Sequence, residues 1–380
     1  MLTDEEINYL NCEILAIYQD MELDLIIDIA HRFDTYEKIG GSLEWHLKKL
    51  DELGALNRET VKIIARYSTR SEKAIRKMLK EAFLANFDKR TLNKVGIDLE
   101  TMMQSPAMAA TFEHSYQELK ESFKMIQTAA QESVRQSYMT ILNTAYLETA
   151  SGVYSYGKSI SRAMQKMADK GIYGATYKRI NPLTGEEKII HYSIEAAVRR
   201  DTLTAVHQTA NRAVLAAAED NGVNALEISS HLGARVSDTN PIANHAGWQG
   251  KVYLIDGSTE EYPNFVESTG YGDIQGFAGV NCRHRAFLFW PGISKPGQAQ
   301  IDLQENRERR ELLDQQRAME RTIRQYKRRR VAAEQCNDLE GFKKANLKVK
   351  EKQKQLIQFC DEHNLPREFE REQIAHEEIR

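Results

Sequence analysis

The feature that most restricts the fold is an abrupt change of texture inside an otherwise helical chain. Residues Ser229 to Ser294 read SSHLGARVSDTNPIANHAGWQGKVYLIDG and then, after a short insert, STGYGDIQGFAGVNCRHRAFLFWPGIS. This block gathers three of the ten histidines, two of the three tryptophans and one of the four cysteines among closely spaced glycines. Glycine at such density interrupts helices and marks turns. Three short β-prone runs fall within or beside it: Ala225 to Ser229, Lys251 to Ile255 and Ala286 to Trp290. Both flanks instead repeat apolar residues at helical intervals. The pattern predicts an α+β fold: a mainly helical chain with a small central antiparallel β-containing domain and long charged C-terminal helices.

The flanks are read from their spacing. Leu23, Ile26, Ile27 and Ala30 follow one helical face, as do Ile63, Ile64 and Tyr67. Thr3 with Glu6 forms a capping box at the start, and Gly40-Gly41 and Leu53-Gly54 punctuate the pattern. From Thr111 to Ala150 a weakly apolar helical face suits helix-on-helix contact, within the chain or with another. Tyr177 to Ile180 and Lys188 to Tyr192 flank the turn Asn181-Pro182-Leu183-Thr184-Gly185, which predicts a hairpin. Ser193 then caps a helix running to about Asp220, stopped by Asn221-Gly222. From about Gln298 the chain becomes charge-rich and predicts two successive helices with a break near Asn337 to Gly341. The expected division is residues 1–170 helical, 171–297 a central α+β domain, and 298–380 a charged helical tail.

Charge narrows the partners. A formal net charge of -3 gives no global drive toward nucleic acid or an anionic membrane. A local stripe does exist in the tail, where Arg321, Arg324 and Arg328 share a helical face thickened by Lys327, Arg329 and Arg330. It offers contact with DNA phosphates, although Glu311, Asp314 and Glu320 nearby favour a solvated face. No apolar segment approaches the ~20 residues of a membrane span, and the amino terminus lacks a signal-peptide pattern. Cys12, Cys282, Cys336 and Cys360 are scattered, which suits reduced thiols in a cytoplasmic setting.

Three chemistries compete inside the block. Zinc binding would use His231, His245, Cys282 and His284; Cys282 and His284 are two apart and share one face of an extended segment. Nucleophilic catalysis would use Cys282 as thiolate, His231 or His245 as base and Gln249 as oxyanion donor, with Arg283 lowering the thiol pKa. Anion or nucleic-acid contact would use Arg235, Lys251, Arg283 and Arg285, with Trp248 and Tyr271 for stacking. Against each stands the plainer account, polar side chains tying glycine-rich loops together.

The ordered series ISSHLGAR, HAGWQGKVYLI, YPNF, STGYG, GVNCRH and PGIS resembles the phage minor capsid proteins of phages and prophages of Gram-positive bacteria. That family is distantly similar to head-morphogenesis proteins of the Mu F type. The matching motif positions are Gly233, Arg235, Trp248, Gln249, Gly250, Tyr271, Gly272, Asn281 and Arg283. The preceding AAVRRDTLTAVHQTANRAVLAAAEDNGVNALEIS and the later QQRAMERTIRQYKRRR and LPREFEREQ extend the likeness from about residue 100 to the end. One departure is VSDTNPIAN, which lengthens the step from Gly-Ala-Arg to His245. The resemblance implies a low-copy structural component of the phage head, near the portal, that assists head assembly or DNA delivery. It implies portal, major capsid or scaffold protein as partners and assembly in the bacterial host cytoplasm, with no enzymatic activity. The alternative reading is a virion-associated Cys/His or zinc-dependent hydrolase.

Overall fold

The computed structural model describes residues 11–34, 43–180 and 185–374. The Thr3–Glu6 capping box, Gly40-Gly41 and most of the hairpin turn lie outside the described residues. In chain order the helices before the first sheet are α1 (Cys12–Asp34), α2 (Leu43–Asp51), α3 (Leu53–Leu84), α4 (Lys89–Lys94), α5 (Leu99–Met103), α6 (Pro106–Ala150) and α7 (Tyr156–Lys170). Next come β1 (Tyr173–Ile180), β2 (Glu187–Ser193), α8 (Ile194–Asp220), β3 (Ala225–Ile228), α9 (His245–Trp248), β4 (Val252–Leu254), α10 (Phe265–Thr269) and β5 (Ala286–Phe289). The tail holds α11 (Leu303–Gln335), α12 (Leu339–Glu362) and a 3-10 turn (Phe369–Glu372). The fold is α+β and mainly helical, with small antiparallel sheets.

The chain divides into two compact units, each gathered from three segments. The first takes residues 1–13, 73–122 and 199–315; the second takes 14–72, 123–198 and 316–380. The helices α1, α3, α6, α8 and α11 contribute residues to both.

In the first unit β3 is the central strand of a three-stranded antiparallel sheet ordered β4-β3-β5. Leu226 faces Tyr253 on one side and Leu288 on the other. All four β3 residues are buried, as a strand paired on both edges and covered on both faces must be. Ala213, Val214 and Ala217 of α8 pack with Leu226, Ile228, Tyr253, Phe265 and Phe277, and Phe83, Phe87, Met102 and Met108 extend this core. Small residues on α8 let the helix lie close to its neighbours, which explains why its apolar pattern is nearly uniform rather than striped. Gly222, with φ 63°, ends α8 as its sequence position requires.

In the second unit Ile14, Tyr18, Met21, Leu25, Ile29 and Phe33 of α1 are buried, as are Phe123, Ile126, Ala130, Val134, Tyr138 and Ile141 of α6. Phe33 stacks on Tyr138 at 4.8 Å between ring centroids. The weakly apolar face of 111–150 is therefore covered by its own chain, with Tyr116 and Leu119 buried in the first unit. β1 and β2 pair antiparallel with a register shift between Tyr173 and Ala175. The tail breaks where the sequence places it: Asn337 has φ 54°, and Asp338 caps α12 by accepting the Gly341 N–H at 2.9 Å.

The basic stripe on α11 is not a phosphate-binding face. Arg324, Lys327 and Arg328 are buried. Arg324 pairs with Glu195 at 2.8 Å, Arg328 Nε donates to the Ala168 carbonyl at 2.8 Å, and Arg329 pairs with Asp169. Lys327 donates to Gln373 Oε1 at 2.8 Å. Charge alone does not reveal this, because the partners come from distant segments. Arg321 stays exposed.

Candidate functional site

The site lies wholly in the first unit and is assembled from three stretches with little regular structure. The chain leaves β3 and runs through His231, Gly233 and Arg235. It loops out over 236–244 and returns in the single turn α9, which begins at His245. The lengthened step does not carry His245 away, because the Ala246 N–H bonds the Arg235 carbonyl at 3.0 Å and closes the loop. Asn240 Oδ1 stiffens it by accepting from the Ile242 N–H at 3.0 Å. The third stretch, 270–285, enters β5 through Cys282 and His284.

The 270–280 segment packs backbone on backbone. A Cβ on Gly276 would sit 2.1 Å from the Gly270 oxygen, so only glycine fits there. This packing presents the Gln275 carbonyl to two donors, Arg235 Nη1 at 3.1 Å and His245 Nε2 at 2.7 Å. Arg235 Nη2 also donates to the Val280 carbonyl at 2.8 Å. Tyr271 lies against Phe265 and Phe277, Gly272 has φ 99°, and Asn281 has φ 58° just before Cys282.

Cys282 Sγ lies 3.6 Å from His284 Nδ1, and the ligand atoms of His245, Cys282 and His284 lie within 4.8 Å of one another. All three side chains are no more than 2% exposed. His231 is half-buried, its ring 4.4 Å from that of His284, and it falls outside this ligand set. The structure thus brings together three of the four zinc candidates and stacks the fourth beside them. Trp248 walls the site, 4.5 Å from the His245 ring and 4.7 Å from the His284 ring. Gln249 Oε1 accepts from the His231 N–H at 3.0 Å and sits 3.0 Å from His284 Nε2. Gly250 N–H bonds the Ile228 carbonyl at 3.1 Å, tying the turn after α9 to β3.

Burial sets the protonation states of the metal-free protein. It pushes the His245 imidazole down to about 4, with Arg235 and His231 adding to the effect. His284 falls well below 6.5 for the same reason, and the neighbouring His231 and His245 lower it further. Burial raises the Cys282 thiol to about 11, only partly offset by backbone hydrogen bonds and Arg235.

These facts bear on the other two sequence readings. A thiol that is 1% exposed and held protonated is not an accessible nucleophile. Gln249, the oxyanion donor of that reading, is buried and its side chain is anchored through Oε1 to His231 and His284. Of the cations in the anion-binding reading, Arg235 is engaged by two carbonyls and Lys251 Nζ donates to the Gly247 carbonyl at 2.9 Å. Trp248 is buried, with its Nε1 bonded to the Ile242 carbonyl at 3.0 Å, so it offers no stacking face. Arg283 is half-buried and its charge helps hold His207 neutral.

Several supporting residues carry no motif. His207 on α8 is buried, and its imidazole is lowered to about 3 by burial and then by Arg283 and Arg285. One turn on, Asn211 donates to the His284 carbonyl at 2.9 Å and accepts from the Ala286 N–H at 2.8 Å. Asn306 of α11 accepts from the Gly233 and Ala234 N–H groups, both at 2.9 Å, and donates to the Ala234 carbonyl at 3.0 Å. The available signal was a polar His and Asn four apart on an Ala- and Val-rich helix.

Comparison with known proteins defines the class. The sequence profile described as phage minor capsid protein 2 matches residues 2–361. The chain belongs to this family of phage structural proteins. It is similar to a structural protein of Lactococcus phage LL-H, 25% identical over 369 residues, covering 93% of this chain and 94% of that protein. A structural protein of Lactococcus phage mv4 is 30% identical over 116 residues, covering 30% of this chain and 94% of the relative. No solved structure matches the chain. No helix among the described residues is long and apolar enough to cross a membrane.

Proposed function

We infer that this chain is a low-copy component of the phage head, incorporated near the portal vertex in the host cytoplasm, where it assists head assembly or DNA delivery. The observation that carries this reading is the match to a minor capsid family along nearly the whole chain. The site supports it: its polar side chains are buried and turned toward one another, as in a structural knot rather than a catalytic cleft. The partners this reading names are portal, major capsid or scaffold protein. Apolar side chains left exposed on the helices, such as Met125, Leu147, Leu339 and Leu347, give such partners places to pack.

The test is co-expression with the portal protein of the same phage, followed by cross-linking and mass spectrometry of the complex and of purified particles. Cross-links to portal, with far fewer copies than major capsid protein, are the expected result. Absence of the chain from particles, with no retention by portal, overturns the reading.

A further inference from the structure

We propose that His245, Cys282 and His284 hold one zinc ion that pins α9 to the segment entering β5. The inference rests on this site's geometry and stands independently of where in the head the protein resides.

The tautomers are fixed by what surrounds the rings. His245 Nε2 faces the Gln275 carbonyl at 2.7 Å, and a carbonyl only accepts, so this nitrogen carries the proton. His284 Nε2 faces Gln249 Oε1 at 3.0 Å, and the His231 N–H at the same atom identifies it as the amide oxygen. Both imidazoles are thereby left with a lone pair on Nδ1. Ligand histidines of metal sites are held in this way, the remote N–H bonded to a carbonyl of the outer shell.

The spacing agrees. Zinc at its usual distances from sulfur and nitrogen, in a tetrahedron, separates the two ligand atoms by about 3.5 Å. Cys282 Sγ and His284 Nδ1 are 3.6 Å apart. One soft sulfur and two imidazoles select zinc over magnesium or calcium. Cys282 binds as thiolate, releasing its proton to solvent as the sulfur–zinc bond forms.

A second observation points to a missing group. Gln249 is 5% exposed, yet its Nε2 has no hydrogen-bond partner among the described residues. Its oxygen is committed to His231 and His284, so the amide cannot flip to repair this. The unused donor needs an acceptor that the described residues do not provide. A solvent oxygen in the fourth position of the zinc is an acceptor of the right kind.

The experiment uses the untagged full-length chain produced in zinc-supplemented medium. Elemental analysis is expected to find about one zinc per chain, retained through gel filtration. Replacing zinc with cobalt(II) should give tetrahedral visible bands and a near-ultraviolet thiolate-to-cobalt band. Cys282→Ser should abolish the thiolate band, whereas Cys360→Ser, at another buried cysteine, should leave it. Gln249→Leu should weaken zinc binding by about 10- to 100-fold, the usual outer-shell effect, and His231→Gln should keep the stoichiometry at one. The proposal is overturned by a wild-type chain without zinc that also fails to take up cobalt, or by cobalt bound without the thiolate band. Should Cys282→Ser not fold, the cobalt spectrum of the native chain decides by itself.

Discussion

The most informative perturbation outside the cluster is Asn306→Ala. Asn306 is fully buried and makes three hydrogen bonds to the loop that carries His231 and Arg235: two from backbone N–H groups and one to a carbonyl. Truncation leaves those three groups without protein partners. A buried polar group deprived of its partner costs about 1–3 kcal/mol. The vacated space admits a water that restores part of this, so the expected net loss is about 3 kcal/mol. The loss should be local, so amide hydrogen exchange is the assay. Exchange at Gly233 and Ala234 should accelerate by about 100-fold, the equivalent of roughly 3 kcal/mol, with amides around Ile323 in the second unit unchanged. Asn306→Asp separates the components, since it keeps both acceptor contacts but loses the donor to Ala234 and buries a charge. A loss below about 0.5 kcal/mol, the range of inert surface changes, with unaltered exchange at Gly233 and Ala234 would refute the claim that this amide holds the loop.

Other expectations follow from the same geometry. Arg324→Met leaves Glu195 buried without its 2.8 Å partner and should cost about 3–5 kcal/mol; adding Glu195→Leu should restore most of that, measured by a denaturant double-mutant cycle. His207 binds its proton near 3 when folded and near 6.5 when unfolded, so between these values the unfolded state holds more protons. Its contribution to stability is full above 6.5 and drains as pH falls toward 3, and His207→Gln should flatten the stability–pH slope there by up to about 1.4 kcal/mol per unit. Gly276→Ala drives a methyl into the Gly270 oxygen and should cost about 1–3 kcal/mol in a melting experiment. Zinc removal by a strong chelator should lower the melting temperature of the wild type but not of Cys282→Ser.

The class of fold, the three central strands, the helix 194–220 and the break between the tail helices were all legible, because each rests on local periodicity and turn residues. Cys282 and His284 could be placed together for the same reason, since alternate residues of an extended segment share a side. His231 was harder. It precedes Gln249 by 18 residues, and only the folded loop shows that its backbone meets the Gln249 side chain while its ring stacks on His284 outside the ligand set. The α11 stripe misled because sequence gives charge but not partners: Glu195 and Asp169 lie more than a hundred residues away. Asn306 was invisible, since a single asparagine in a charged helix carries no signal until its amide is seen to meet a distant backbone, and Asn211 offered only its spacing from His207.

The interleaving of the two units has a consequence in time. The first unit draws on residues 73–122 but is completed only by residues up to 315. At ordinary synthesis rates the roughly 190 intervening residues occupy the ribosome for about 10–40 s. For most of that interval Phe83, Phe87 and Met108 lack the finished sheet that covers them, for β3 begins at Ala225 and β5 ends only at Phe289. The second unit waits longer still, because fully buried Glu372 and its partner Arg367 are among the last described residues to emerge. Neither core is therefore complete until long after its first segment has emerged. A chain cut short before β5 should display uncovered helical faces.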